Sequence, residues 1–271
     1  MKIIVGHQNL DFDCVSSMVA VQKLHTDATI FLQATAEGNV LEYLNLYRHH
    51  FSFERESQFN PDDVDTVIVV DTNSRSRLGK YSEAIDQAEK VILYDHHPPE
   101  HGDIDADEVH VDSVGALITM MVEKLQKQNI KLSSVEATLF MLGLHQETGG
   151  LQFGTTGIRD YQAGTFLMEA GADLDVVQNF IYQQLTDEQM SLFNDLLSNA
   201  RSLSINNVPV TISMAERDEY ISEVALLAHK LRDTENANLL CLLVRLGERI
   251  QLVIRNRYSN IDAGELACQF G

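Results

Sequence analysis

The chain has 271 residues, enough for two compact domains, and carries 40 acidic residues against 20 basic ones for a formal net charge of −20. That balance excludes a protein that binds long nucleic acid by neutralising phosphates with Lys and Arg, and it argues against an anionic membrane as partner. A hydrophobic fraction of 44% suits an ordinary buried core, the sparse Cys14, Cys241 and Cys268 read as reduced thiols of a cytoplasmic protein, and no apolar run reaches the roughly 18 residues of a membrane span.

The first part alternates strands and helices. Lys2–Val5 is a short apolar strand that ends at Gly6, too brief for a signal peptide. Cys14–Leu24 has apolar residues at helical spacing. Thr29–Leu32 reads as a second strand and Val40–Tyr47 as a helix. Thr66–Val70 is a β-branched run, the signature of a buried strand. Ser82–Ala88 is helical and Val91–Tyr94 is another buried strand. Ser113–Gln126, Ser134–Leu144 and Arg159–Glu169 are helix candidates. Short apolar strands separated by helices predict an α/β fold, a parallel sheet flanked by helices.

Thr186–Asn199 reads as a long amphipathic connector. After it, Val208–Met214 is a strand, Ile221–Leu231 a helix, and Leu239–Leu246 with Gln251–Arg255 a hairpin across Gly247-Glu248. The expected organisation is therefore a domain over residues 1–185, a connector helix over 186–200, and a smaller mixed α/β domain over 201–271. A substrate is expected in a cleft between the two domains.

Ligands in an open parallel sheet sit at the carboxyl ends of the strands. The first strand runs into Gly6-His7, then Asn9, Asp11 and Asp13. The Thr66–Val70 strand ends in Asp71, and the Val91–Tyr94 strand in Asp95-His96-His97. Carboxylates crowded at one edge raise one another's pKa unless cations compensate. Divalent metals are the natural compensation, and a His and carboxylate set suits Mn²⁺, Mg²⁺, Fe or Co better than a structural Zn²⁺. The ligands are too many for one ion, so two ions sharing a carboxylate are expected.

The segments Gly6-His7-Gln8-Asn9-Leu10-Asp11-Phe12-Asp13, Val69-Val70-Asp71-Thr72-Asn73, Tyr94-Asp95-His96-His97-Pro98 and Gly143-Leu144-His145-Gln146-Glu147-Thr148-Gly149-Gly150 resemble the motifs of the DHH phosphoesterases. That superfamily includes RecJ-type exonucleases, nanoRNases, cyclic-dinucleotide phosphodiesterases and family II pyrophosphatases. The C-terminal region is similar to the companion domain, DHHA1. The resemblance implies one metal on His7, Asp11 and Asp71, and another on Asp13, Asp71, His96 and the fourth-motif acid, Glu147. Asp71 would bridge, Asp95 would orient the histidines, and His97 would meet the phosphate or leaving oxygen. Mn²⁺ is the implied metal, with Mg²⁺ or Co²⁺ as substitutes, and a hydroxide activated by both ions would attack phosphorus.

The family usually has Asp where this chain has Glu147, and a Ser where it has Asn256 beside Arg255. The resemblance makes Arg255 and Asn256 substrate contacts, and a glycine-rich signature would begin where Phe270-Gly271 ends the chain, as in a truncated piece. The motifs Thr155-Thr156-x3-Asp160 and Leu185-Thr186-Asp187 resemble bacterial fusions in which this module precedes CBS domains and a tRNA nucleotidyltransferase or poly(A) polymerase. The implied activity is metal-dependent hydrolysis of short oligonucleotides or nucleotides. A weakly active or non-catalytic nucleotide-binding module of such a fusion is the alternative, with pyrophosphatase or exopolyphosphatase ranked lower. The resemblance leaves room for a homodimer.

Overall fold

The computed structural model describes residues 1–97, 103–181, 185–258, 261 and 263–270. They fall into two compact units, Met1–Gln183 and Gln184–Gly271.

The first unit is built on strands β1 (Lys2–Val5), β2 (Ala28–Leu32), β3 (Phe53–Arg55), β4 (Thr66–Val70), β5 (Lys90–Asp95) and β6 (Glu108–Val111). All pair in parallel, in the order β3-β2-β1-β4-β5-β6. Side chains alternate across a strand, and here both faces are buried. Ile4, Ile68, Val70 and Ile92 pack on one side, while Ile3, Val5, Val67, Val69, Val91 and Leu93 pack on the other. The first side is covered by α1 (Phe12–Leu24), α4 (Leu117–Lys127) and α5 (Ser134–Thr148). Outside them stand α2 (Gly38–Leu46), α6 (Ile158–Glu169) and α7 (Leu174–Ile181). The opposite side is covered by α3 (Ser82–Gln87) and the turn before it, through Leu78, Tyr81, Ala84 and Ile85. The strand order reverses direction at β1 and β4, and the crevice at such a switch point is where open α/β sheets bind ligands.

The second unit begins with α8 (Asp187–Asn199) and continues through β7 (Arg201–Ile205), β8 (Val208–Arg217), α9 (Val224–Thr234), β9 (Leu239–Leu246), β10 (Arg249–Asn256) and α10 (Ala263–Cys268). Its sheet runs β10-β9-β8-β7, with β8 and β9 parallel and the outer pairs antiparallel. The β9–β10 hairpin turns at Gly247-Glu248 as the sequence predicts. The expected connector helix is part of this unit's core instead. Leu192 and Leu196 of α8 are buried with Val224, Leu227 and Leu231 of α9 against Leu240, Leu242 and Val244 of β9.

Five elements have no counterpart in the sequence reading. β3 and β6 are short edge strands, and the residues of β7 are all exposed, so none shows a buried run. The β7–β8 turn, Asn206-Asn207, holds both residues at positive φ, the geometry of a tight hairpin. The other two are short helices, α7, which buries Val177 and Phe180, and α10. In the other direction, α5 runs four residues past the predicted end, which puts His145, Gln146 and Glu147 on its last helical turn.

Candidate metal centre

The centre assembles at the switch point. The chain leaving β1 delivers His7, which is buried, and Asn9 turns the loop at φ 58. Asp11 is the N-cap of α1, its Oδ1 accepting from the Cys14 N–H at 2.9 Å, so its other oxygen is left for a ligand. Asp13 sits in the first turn of α1. Asp71 follows β4 with φ 63, in the left-handed region that a non-glycine residue enters at a cost of roughly 1–3 kcal/mol. Asp95 closes β5, and His96 and His97 follow it. Glu147 arrives from the end of α5.

His7 and His96 each have one nitrogen beside a backbone carbonyl and the other turned towards the carboxylates. His7 Nδ1 donates to the Gln8 carbonyl at 2.8 Å, which directs Nε2 to Asp71 Oδ2 at 3.4 Å and Asp11 Oδ2 at 3.5 Å. His96 Nδ1 lies 3.3 Å from the Val114 carbonyl. Its Nε2 faces Asp71 Oδ1 at 3.5 Å, Asp13 Oδ2 at 3.7 Å and Glu147 Oε1 at 3.9 Å. Asp71 therefore presents one oxygen to each histidine.

Those separations are long for hydrogen bonds. Asp71 Oδ1 and His96 Nε2 are buried with no hydrogen-bond partner. Donor atoms on one ion, at bonds of about 2.1 Å, stand roughly 3–4 Å apart. Buried donors without partners, spaced as ligands of common ions, fit a divalent pair. Among the described residues, Asp71, His96 and His97 form one group able to hold an ion, and His7, Cys14 and Asp71 form another.

The electrostatics agree. Burial, followed by the charges of Asp71, Glu147 and Asp11, holds the Asp13 carboxyl well above the usual carboxylate range. Burial also raises Asp71, against the opposing influence of the His7 imidazole. The Glu147 carboxyl is pushed up to about 7 by burial and then by Asp71 and Asp11. Burial would raise Asp11 too, but the His7 imidazole outweighs it and its pKa is lowered.

The remaining predicted residues take distinct places. Asp95 is fully buried. Its Oδ1 accepts from the His97 ring at 2.7 Å and from the His96 and His97 backbone N–H groups at 2.8 and 3.2 Å. The hydrogen bond to Asp95 raises the His97 pKa, while the ring remains partly exposed. Pro98 lies outside the described residues. Arg255 and Asn256 end β10 in the second unit. Arg255 is half-buried and donates to the Ala225 carbonyl at 3.5 Å. Both N–H bonds of the Asn256 amide are used within its own turn, by the Tyr258 and Ile261 carbonyls, so this side chain is a local staple. Thr155 and Thr156 precede α6, whose N-cap is Gly157.

Two residues of the centre escaped the sequence reading. Cys14 is fully buried with its sulfur beside His7 and Asp71, and burial pushes its thiol up to about 12. The one-turn step from Asp11 was the available signal. Gln146 accepts from the Phe12 N–H at 2.6 Å and donates to Glu37, tying α5 to the start of α1.

The comparisons with known proteins run parallel to this geometry. Residues 2–144 match the model of the DHH family, N-terminal domain. The chain is 37% identical over 273 residues to the A-adding tRNA nucleotidyltransferase of Geobacter sulfurreducens, covering all of this chain and 31% of that protein. It is 22% identical over 243 residues to the cyclic-di-AMP phosphodiesterase GdpP of Bacillus subtilis, covering 83% of this chain and 36% of that protein. The chain thus spans about a third of the length of these curated relatives. An exopolyphosphatase-related protein from Bacteroides fragilis has the same fold, with a TM-score of 0.81 at 16% identity over 99% of this chain and 82% of that one. With its family model matched over residues 2–144, more than half of its length, the chain belongs to the DHH family.

Proposed function

We propose that the chain is a divalent-metal-dependent phosphoesterase acting on short oligonucleotides or nucleotides. The observation that carries this reading is the shared Asp71 carboxylate, one oxygen facing His7 and the other facing His96, among buried donors that have no protein partner. His7, Asp11 and Asp71 would hold one ion, and Asp13, Asp71, His96 and Glu147 the other. When bound, the ions supply a Lewis acid for the phosphoryl oxygens and lower the pKa of water.

The chain's own groups do the rest. The backbone carbonyls beside Nδ1 of His7 and His96 would favour, with the ions bound, the tautomer whose Nε2 lone pair ligates. Asp95 holds His97 through Nδ1, leaving Nε2 for a phosphate or leaving oxygen, and the same hydrogen bond raises the ring's pKa, which favours the imidazolium that can donate there. The net charge of −20 favours a short substrate over a long duplex.

The test is hydrolysis of a dinucleotide by the purified protein with Mn²⁺. Activity that Asp71→Ala abolishes supports the reading, and persistent inactivity with Mn²⁺, Mg²⁺ and Co²⁺ sinks it. A second reading has its own support in Glu147, which replaces the family's usual Asp, and in the similarity to an A-adding tRNA nucleotidyltransferase. On that reading the chain is a nucleotide-binding module without turnover. Calorimetry would then show an adenine nucleotide binding and remaining intact.

A further inference from the structure

Two sequence features lie outside the metal ligands, the glycine of Ser113-Val114-Gly115 and the Asp160 of Thr155-Thr156-x3-Asp160. The structure joins them. Asp160 is 1% exposed, in the first turn of α6. Both of its oxygens accept from the Gly115 N–H at 3.1 Å. Oδ2 also accepts from the Gly157 N–H at 2.7 Å, and Oδ1 from the Thr119 hydroxyl at 2.6 Å. A methyl group on Gly115 would stand 2.8 Å from Asp160 Oδ2, so the approach requires glycine.

Gly115 and Thr119 flank the start of α4. The two N–H groups between them that open the helix, at Leu117 and Ile118, donate to Asp13 Oδ2 and Oδ1 at 2.7 and 2.9 Å. One helix N-terminus, with its partial positive charge, therefore receives two buried carboxylates from two separate elements. Asp13 reaches past it to His96 Nε2, 3.7 Å away. Asp160 clamps the same turn from behind. The His7 and Asp11 side of the centre makes none of these contacts.

We propose that Asp160 is a positioning residue of the metal centre. It fixes the N-terminus of α4, and through the amides of Leu117 and Ile118 it aims the Asp13 carboxylate at the ion beside His96. The inference rests on the two-ion reading above, and it predicts an effect on one ion alone.

The test is Mn²⁺ titration of the chain by calorimetry, with the electron paramagnetic resonance of bound Mn²⁺ as a second readout. The wild-type chain is expected to take up two ions and to show a spin-coupled pair. Asp160→Asn keeps the volume but loses an acceptor. The expected result is one ion bound as in the wild type, the second weakened roughly 10–100-fold, and an uncoupled signal at low occupancy. Thr119→Val leaves the α6 cap intact and serves if the Asp160 variant fails to fold. It should weaken the same ion several-fold, and Thr119→Ser should restore it.

Wild-type affinity for both ions in either folded valine or asparagine variant, or equal weakening of both, would overturn the inference even where Tm falls. A wild-type chain that binds no ion pair instead overturns the two-ion reading on which it stands.

Discussion

Asp71 combines burial, a left-handed backbone and a carboxylate between two imidazoles. Its raised pKa means that the ion-free fold gains nothing from its charge. Asp71→Asn is therefore expected to raise the Tm of the metal-free chain by a few degrees, about 1 kcal/mol, while Mn²⁺ uptake is lost. Differential scanning fluorimetry with and without Mn²⁺ reads both. Glu147 gives a pH dependence. A carboxyl with a pKa of about 7 is protonated below neutrality, and its proton competes with the ion. Apparent Mn²⁺ affinity should rise as pH climbs towards 7 and level off above it. Glu147→Gln should flatten that profile, and a profile identical to wild type would count against Glu147 as a ligand.

Helix α5 shows how an element places a site. Its start is a capping box, Ser133 Oγ with the Glu136 N–H and Glu136 Oε2 with the Ser133 N–H, reinforced by Lys23 at 2.6 Å from Glu136. Its middle approaches α1 where Gly143 has no side chain. A Cβ there would stand 2.2 Å from Ser16 Oγ and 2.9 Å from the Phe12 carbonyl. Its end carries Glu147 and stops at Gly149, in the left-handed conformation at φ 58. The two ends should respond differently. Ser133→Ala should cost about 1 kcal/mol in thermal unfolding with Mn²⁺ affinity unchanged. Gly143→Ala, beside Asp13, should cost roughly 1–3 kcal/mol by overpacking and should also weaken Mn²⁺ binding.

At the scale of the molecule, acidic groups whose folded pKa is raised bind more protons folded than unfolded. Their contribution to stability is present below the unfolded pKa and is lost as pH rises through the folded one. Asp13, Asp71 and Glu147 all act in this direction, Glu147 between about 4.5 and about 7. Burial lowers the pKa of His25, His110, His145 and His229, which act in the opposite direction over the same window, so the carboxyls of the centre are read by difference. Without metal, the melting temperature of the wild-type chain should fall relative to that of Glu147→Gln as pH rises across that window. Parallel pH profiles for the two chains would refute this.

The alternation of short β-branched strands with helices determined the parallel sheet, because a strand buried on both faces must be apolar throughout, and that pattern needs no neighbour to be seen. The strand-end residues His7, Asp71, Asp95 and His96 were legible for the same reason: the carboxyl edge of the sheet follows from the strands. The edge strands β3, β6 and β7 were not legible, since hydrogen bonding to one neighbour leaves little trace in hydropathy. Tertiary structure alone decided that Cys14 stands beside His7, that α8 belongs to the core of the second unit, and that the Asn256 amide is spent on its own turn. It also decided that Asp13 and Asp160, 147 residues apart in sequence number by simple subtraction, meet at one helix N-terminus. Such contacts depend on where helices end and how closely they approach, and those are set by packing and capping across distant segments rather than by any local period.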